Sequence, residues 1–135
     1  MNNNNYFYPF NDTFLNNNNY DNLFGPYEGY LKGNLFKNLY EEYKNYKPTS
    51  LEFKSAKEED LFNLNQICFA MHELNLYLDV NPNDRELINK YVEYERLYNN
   101  LVKSFEEKYG PINVTGIDNS TPFSWVNTQF PWEVK

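Results

Sequence analysis

The chain has one cysteine, Cys68, and one histidine, His72, among its 135 residues. A single thiol excludes an intrachain disulfide, so the fold does not rest on oxidation. A single imidazole excludes any motif that needs two. His72-Glu73-Leu74-Asn75-Leu76 begins like a zinc-protease helix, but the metal needs a second histidine four residues on, and that position is Leu76. Basic residues are scarce: 12 Lys and Arg stand against 19 Asp and Glu, for a net charge of −7. That balance excludes the basic patch that nucleic acid or an anionic membrane demands, and reads as a solvated acidic surface. Long apolar runs are missing as well, and no stretch of about 18 apolar residues is there to span a bilayer. Met1-Asn2-Asn3-Asn4-Asn5 has neither the basic nor the apolar region of a signal peptide. The expectation is synthesis in a reducing cytoplasm, where the glycosylation-type matches at Asn11, Asn113 and Asn119 carry no sugar.

Aromatic residues are what the chain has in excess. It holds 13 Tyr and 11 Phe, and aromatics make up 19% of it, too many for an ordinary disordered protein. Such side chains suit interfaces as well as cores, because they bring large contact area at low rotamer cost.

Four regions follow along the chain. Residues 1–22 hold two Asn runs and no period, and read as a flexible arm with Tyr6, Phe7, Tyr8, Phe10 and Phe14 as potential anchors. Residues 23–54 open with Gly25, Pro26 and Gly29, a loop signal over 23–32. Gly25, Gly29 and Gly33 have the spacing of a membrane-helix dimer motif, but their neighbours are Tyr, Glu and Lys. A short helix is expected over 34–46, capped by Asn34, with Leu35, Phe36, Leu39, Tyr40, Tyr43 and Tyr46 at helical spacing and Pro48 beyond its end. Residues 55–111 predict a helical hairpin. Ser55 and Glu58 form a capping-box pattern, and Leu64, Ile67, Met71, Leu74 and Leu78 make one apolar stripe on a helix over 56–80. Asn81 and Pro82 are expected to break that helix and start a second over 82–109, with Leu87, Tyr91, Tyr94, Tyr98, Leu101 and Phe105 as the facing stripe. Gly110-Pro111 stops it. Residues 112–135 carry Trp125, Phe130 and Trp132 between prolines, and read as an irregular arm. The fold class is all-α: an antiparallel two-helix hairpin, a short preceding helix, and irregular aromatic arms.

Chemistry-bearing constellations fail one by one. Asp79-Val80-Asn81-Pro82-Asn83-Asp84 starts like a calcium loop, yet its sixth and twelfth positions are Asp84 and Lys90 rather than Gly and Glu. Cys68 and His72 share a helix face without a third partner, so the expectation is a buried small thiol beside a partly exposed imidazole. Glu93, Glu95, Glu106 and Glu107 interleave with Lys90, Arg96, Lys103 and Lys108 as a solvated helix face. No catalytic, metal or cofactor residues are assigned. A hairpin core of this size rarely supplies more than about 3–5 kcal/mol, so it needs cover from the arms, the short helix or another chain. The candidate protein-interface residues are Trp125, Phe130, Trp132, Phe36 and Tyr40.

Two stretches carry a resemblance. Glu73-Leu74-Asn75-Leu76-Tyr77-Leu78-Asp79, then Pro82 and Asp84, Tyr109-Gly110-Pro111 and Pro131-Trp132-Glu133 resemble the JB-type spore coat proteins (CotJB), over about residues 60–133. The ending reads Phe130-Pro131-Trp132-Glu133 where the family has Pro-Trp-Pro-Trp-Glu. Upstream, Gly25-Pro26-Tyr27 and Gly33-Asn34-Leu35-Phe36-Lys37-Asn38-Leu39-Tyr40 look like the short JA-type coat peptide (CotJA), over about 24–48. The resemblance implies a structural, non-enzymatic component of the bacterial endospore coat, made in the mother-cell cytoplasm and deposited in the coat. It implies other coat proteins as partners, among them a manganese-catalase-like one, with self-association or a hetero-oligomer expected. The alternative is an adaptor that recruits or caps such a catalase without forming lattice itself.

Overall fold

The structure, a computed structural model, describes residues 22–39, 51–116 and 121–127. Its backbone is all-α: α1 (Pro26–Lys32), α2 (Ala56–Val80) and α3 (Arg85–Tyr109), followed by two single 3₁₀ turns at Val114–Gly116 and Ser124–Asn127. The Asn-rich arm over 1–21, Tyr40, Phe130 and Trp132 lie outside the described residues.

α2 and α3 form the expected hairpin. Ser55 caps α2 by accepting the Glu58 backbone N–H at 3.2 Å, and the Glu58 carboxylate reaches back to the Lys54 N–H at 2.7 Å. The return bond of the capping box therefore falls one residue before the cap. At the turn the structure differs from the sequence reading. Asn81 closes α2 instead of opening α3: its backbone N–H and its side-chain amide both donate to the Tyr77 carbonyl. Asp84 is the N-cap of α3, accepting the Leu87 N–H at 3.1 Å. A carboxylate is the stronger acceptor at the positive end of a helix, so it prevails over the amide three residues earlier.

Both stripes face inward. Leu64, Ile67 and Leu74 on α2 and Leu87, Tyr94 and Phe105 on α3 are buried. Met71, Leu78, Tyr91, Tyr98 and Leu101 pack half-buried around them.

The described short helix is at 26–32; of the 34–46 expected, residues 34–39 are not helical and 40–46 lie outside the described residues. Glycine and proline that read as loop punctuation instead frame a helix. Pro26 sits at its first position and Gly33 ends it in the left-handed region, at φ 66°. After Gly33 the chain doubles back. Leu23 pairs antiparallel with Phe36, Phe24 N–H donates to the Leu35 carbonyl, and Lys37 N–H donates to the Asn22 carbonyl, both at 2.9 Å. Asn34 fixes the return: its side-chain amide donates to the Phe36 carbonyl and its side-chain oxygen accepts the Phe36 N–H. Gly29 is where the two limbs touch, since a Cβ there would stand 3.2 Å from Leu35 Cδ1. Residues 22–37 thus make a self-closed strap. Leu23, Leu35 and Phe36 join the hairpin core from its outer side, with Leu35 fully buried. α2 is therefore the middle layer, with α3 on one face and the strap on another.

Candidate functional site

The expected site is a surface on which another protein could sit. Among the described residues, the most aromatic surface is on α2. Phe62 is the hub of a ring cluster: Tyr27, Tyr30 and Phe53 meet it at centroid distances of 5.8, 5.3 and 5.1 Å. Tyr30 also meets Phe69 at 5.7 Å. Edge-to-face geometry of this kind places positive ring edges on negative ring faces. Further along α2, Phe36 stacks on Tyr77 at 5.0 Å, and the Leu35 N–H donates to the Glu73 carboxylate at 3.4 Å. Phe62, Phe69, Glu73 and Tyr77 follow one another at helical spacing, a second face of α2 that the strap covers. Part of the cluster stays open to water, since Tyr27 is 49% exposed, with Phe53, Leu51 and Leu61 exposed nearby in sequence.

Of the candidate interface residues, Phe36 and Trp125 are among the described residues, and Tyr40, Phe130 and Trp132 lie outside them. Phe36 is 5% exposed and its ring lies inside the fold. Trp125 is half-buried in the last 3₁₀ turn, next to exposed Phe123 and Val126. The root of that arm is tied down where the Ile112 N–H donates to the Glu106 carboxylate at 3.1 Å.

The Tyr27, Tyr30, Phe62 and Phe69 cluster escaped the sequence reading. A signal was present, because α2 carries Phe62, Phe69, Ala70 and Tyr77 off its main stripe, which is one apolar face more than a hairpin alone requires.

Charge gathers at the open end of the hairpin. The Asp60 carboxylate accepts from the Lys108 ammonium at 2.9 Å and from the Tyr109 hydroxyl at 2.8 Å, tying α2 to α3. The Asp60 hydrogen bond is the largest cause holding both Lys108 and Tyr109 above their ordinary pKa values. The closed end has a matching bond, Tyr77 hydroxyl to Asp84 carboxylate at 3.3 Å. Burial first, then the Asp84 charge, pushes the Tyr77 phenol up.

Cys68 and His72 are both exposed, so the thiol is not the buried one expected. The residue before Cys68, Ile67, is fully buried, and one step along a helix turns the side chain about 100° away from the core. Lys90 departs the other way. The charge pattern predicts a solvated face, yet Lys90 is 3% exposed, paired with Glu93 at 3.0 Å and lying over the Tyr94 ring at 4.9 Å. Among the described residues no group of three His, Cys, Asp or Glu is arranged to hold a metal ion. Among them, too, no helix is long and apolar enough to cross a membrane.

A family model described as CotJB protein matches residues 58–133, more than half of the chain. The match takes in nearly all of α2, the turn, α3 and the C-terminal arm, and it begins after the strap. No curated protein and no solved structure matches the chain.

Proposed function

The chain belongs to the CotJB family, a spore coat family, and from that premise we propose that it is a structural component of the endospore coat that acts by assembling with other coat proteins, a manganese-catalase-like protein among them. The observation that carries the reading is the extent of the match, which runs through the hairpin and on through the aromatic C-terminal arm. The arm supplies the means. Phe123 and Val126 stand exposed beside Trp125, and Phe130, Pro131 and Trp132 follow. Aromatic anchors on a rigid helical base are the kind of group that carries most of an interface's energy. Trp125, Phe130, Trp132 and Tyr40 are the residues proposed to meet partners. On this reading the protein is made in the mother cell and deposited in the coat.

The upstream likeness to the CotJA coat peptide belongs to the same proposal. Its support is physical: the strap packs on the hairpin through aromatic rings, as a bound peptide does.

The test is affinity capture of the full-length tagged chain from sporulating cells. Coat proteins, including a manganese-catalase-like one, are expected in the eluate of the parent chain. They should be depleted when Trp125 and Trp132 are both changed to Ala. Capture that returns no coat protein overturns the reading.

A further inference from the structure

The strap is built as a unit separable from the hairpin it covers. Its two limbs are held to each other by the Leu23–Phe36 bridge, by both backbone bonds of that bridge and by the Asn34 turn. Outer side chains add to this closure: Lys32 pairs with Glu28 at 2.6 Å and lies over the Phe24 ring at 4.1 Å. None of these interactions involves the hairpin. What the strap makes with the hairpin is of another kind, namely side-chain packing: Leu23, Leu35 and Phe36 enter the shared core, rings meet Phe62, Phe69 and Tyr77, and one long hydrogen bond runs from Leu35 N–H to Glu73 at 3.4 Å.

That contact also leaves a polar group unmet. Gln66 lies on α2 between Phe62 and Phe69, the two rings that Tyr30 meets. Gln66 is 4% exposed, and its side-chain oxygen has no hydrogen-bond partner. A buried acceptor without a donor loses its hydration and gains nothing in exchange.

The chain between strap and hairpin is long. Leu39 and Leu51 are both exposed, and residues 40–50 join them. At roughly 3.5 Å per residue a connection of that length spans up to about 40 Å. α2 itself is close to that length, at about 1.5 Å per residue. The strap's own hairpin is thus not the only one within its reach.

We infer that the strap is exchanged between copies of this chain: residues 22–37 of one molecule dock on the Phe62–Tyr77 face of α2 in a second molecule, in the pose they hold here on their own. The incoming strap makes the same ring contacts and the same bond to Glu73, so exchange needs no refolding and no new surface. The connection decides between closed monomers and exchanged dimers through local chain concentration, the usual basis of domain swapping. No other coat protein is required.

The test uses the full chain in a Cys68→Ser background, with two further variants, Tyr30→Cys on one preparation and Phe69→Cys on the other. The two are mixed at high concentration, incubated, and treated with a short bismaleimide. A cross-linked dimer that forms in the mixture and in neither variant alone is the expected result. A mixture that gives no cross-linked dimer at any concentration overturns the inference. Sedimentation of the unmodified chain gives an independent reading. It should show a concentration-dependent dimer that is lost in Gly33→Val, whose side chain is strained at positive φ, while the circular dichroism of the hairpin persists. A monomer at all concentrations, or a dimer untouched by Gly33→Val, overturns it as well.

Discussion

Asp60 holds the open end of the hairpin together through two donors, and both titrate in alkali. The Tyr109 phenol is held above its ordinary 10.0 and the Lys108 ammonium above its ordinary 10.5, in each case chiefly by the hydrogen bond to Asp60. A group whose pKa is raised by folding contributes stability that is complete below its unfolded value and is lost as pH rises through its folded value. Tyr77 and Tyr98 shift in the same direction, each mainly by burial. The melting temperature should therefore hold steady up to about pH 10 and fall above it. Tyr109→Phe should melt lower than the parent at pH 7 and lose less between pH 9 and pH 11, when both are followed by circular dichroism. Equal slopes for the two proteins in alkali would show that the Tyr109 bond does not titrate as argued. At this scale the sequence was only partly legible. Lys90 stands in a run of alternating charges and looks solvated, whereas its place three residues after Leu87 and four before Tyr94 puts its stem on the buried face. A long aliphatic stem can be buried while its ammonium still finds a carboxylate, here Glu93. Charge alone therefore misplaces it.

Helix ends and helix faces were read with different success, for a physical reason. A stripe is a repeated signal: the facing residues of α2 and α3 recur at three and four, and all of them are buried or half-buried. An end is a single event, decided by whichever nearby group bonds the free N–H groups best. Asn81 and Asp84 are both good capping types, and only geometry selects Asp84. Its selection has a measurable consequence. Ser55→Ala removes one capping bond from α2 and should cost about 1 kcal/mol in urea unfolding. Asp84→Ala removes the α3 cap and also the Tyr77 hydroxyl's acceptor, so it should cost more than Ser55→Ala. The reverse ranking would return the start of α3 to Asn81. α1 was hidden by its brevity. Seven residues between Gly25 and Gly33 have no room for a period, so Gly25, Pro26 and Gly29 read as a loop when they are in fact a helix's N-cap, its first position and a residue of its middle. The second face of α2 was hidden for the opposite reason. Apolar residues spread over two faces weaken the contrast that marks an amphipathic helix, although the excess itself points to a second layer.

Three layers share one small core, and Leu74 sits where they meet, fully buried on α2 in the cluster that joins Leu35 and Phe36 of the strap to Leu87 and Tyr94 of α3. A carboxylate has no partner there, so Leu74→Asp should abolish the helical signal and the melting transition together. Retained helix and an unshifted transition in that variant would mean the stripes do not face each other. The C-terminal arm stands in a different relation to this core. Its root is anchored through Ile112 and Glu106, and Trp125 is half-buried, but Phe123 is 51% and Val126 65% exposed. Covering the roughly 150–250 Å2 of one aromatic side chain is worth about 4–6 kcal/mol before ordering costs, at about 25 cal/mol per Å2. Exposed Phe123 and Val126 have not made that gain on their own hairpin, and on the proposed reading a partner surface supplies it. On the proposed reading, deleting residues 122–135 leaves the three layers intact. The truncated chain should keep its helical content and most of its melting temperature, while co-purification of coat proteins from sporulating cells drops sharply. A large fall in melting temperature with the same proteins still captured would place the arm in the fold and not in the interface.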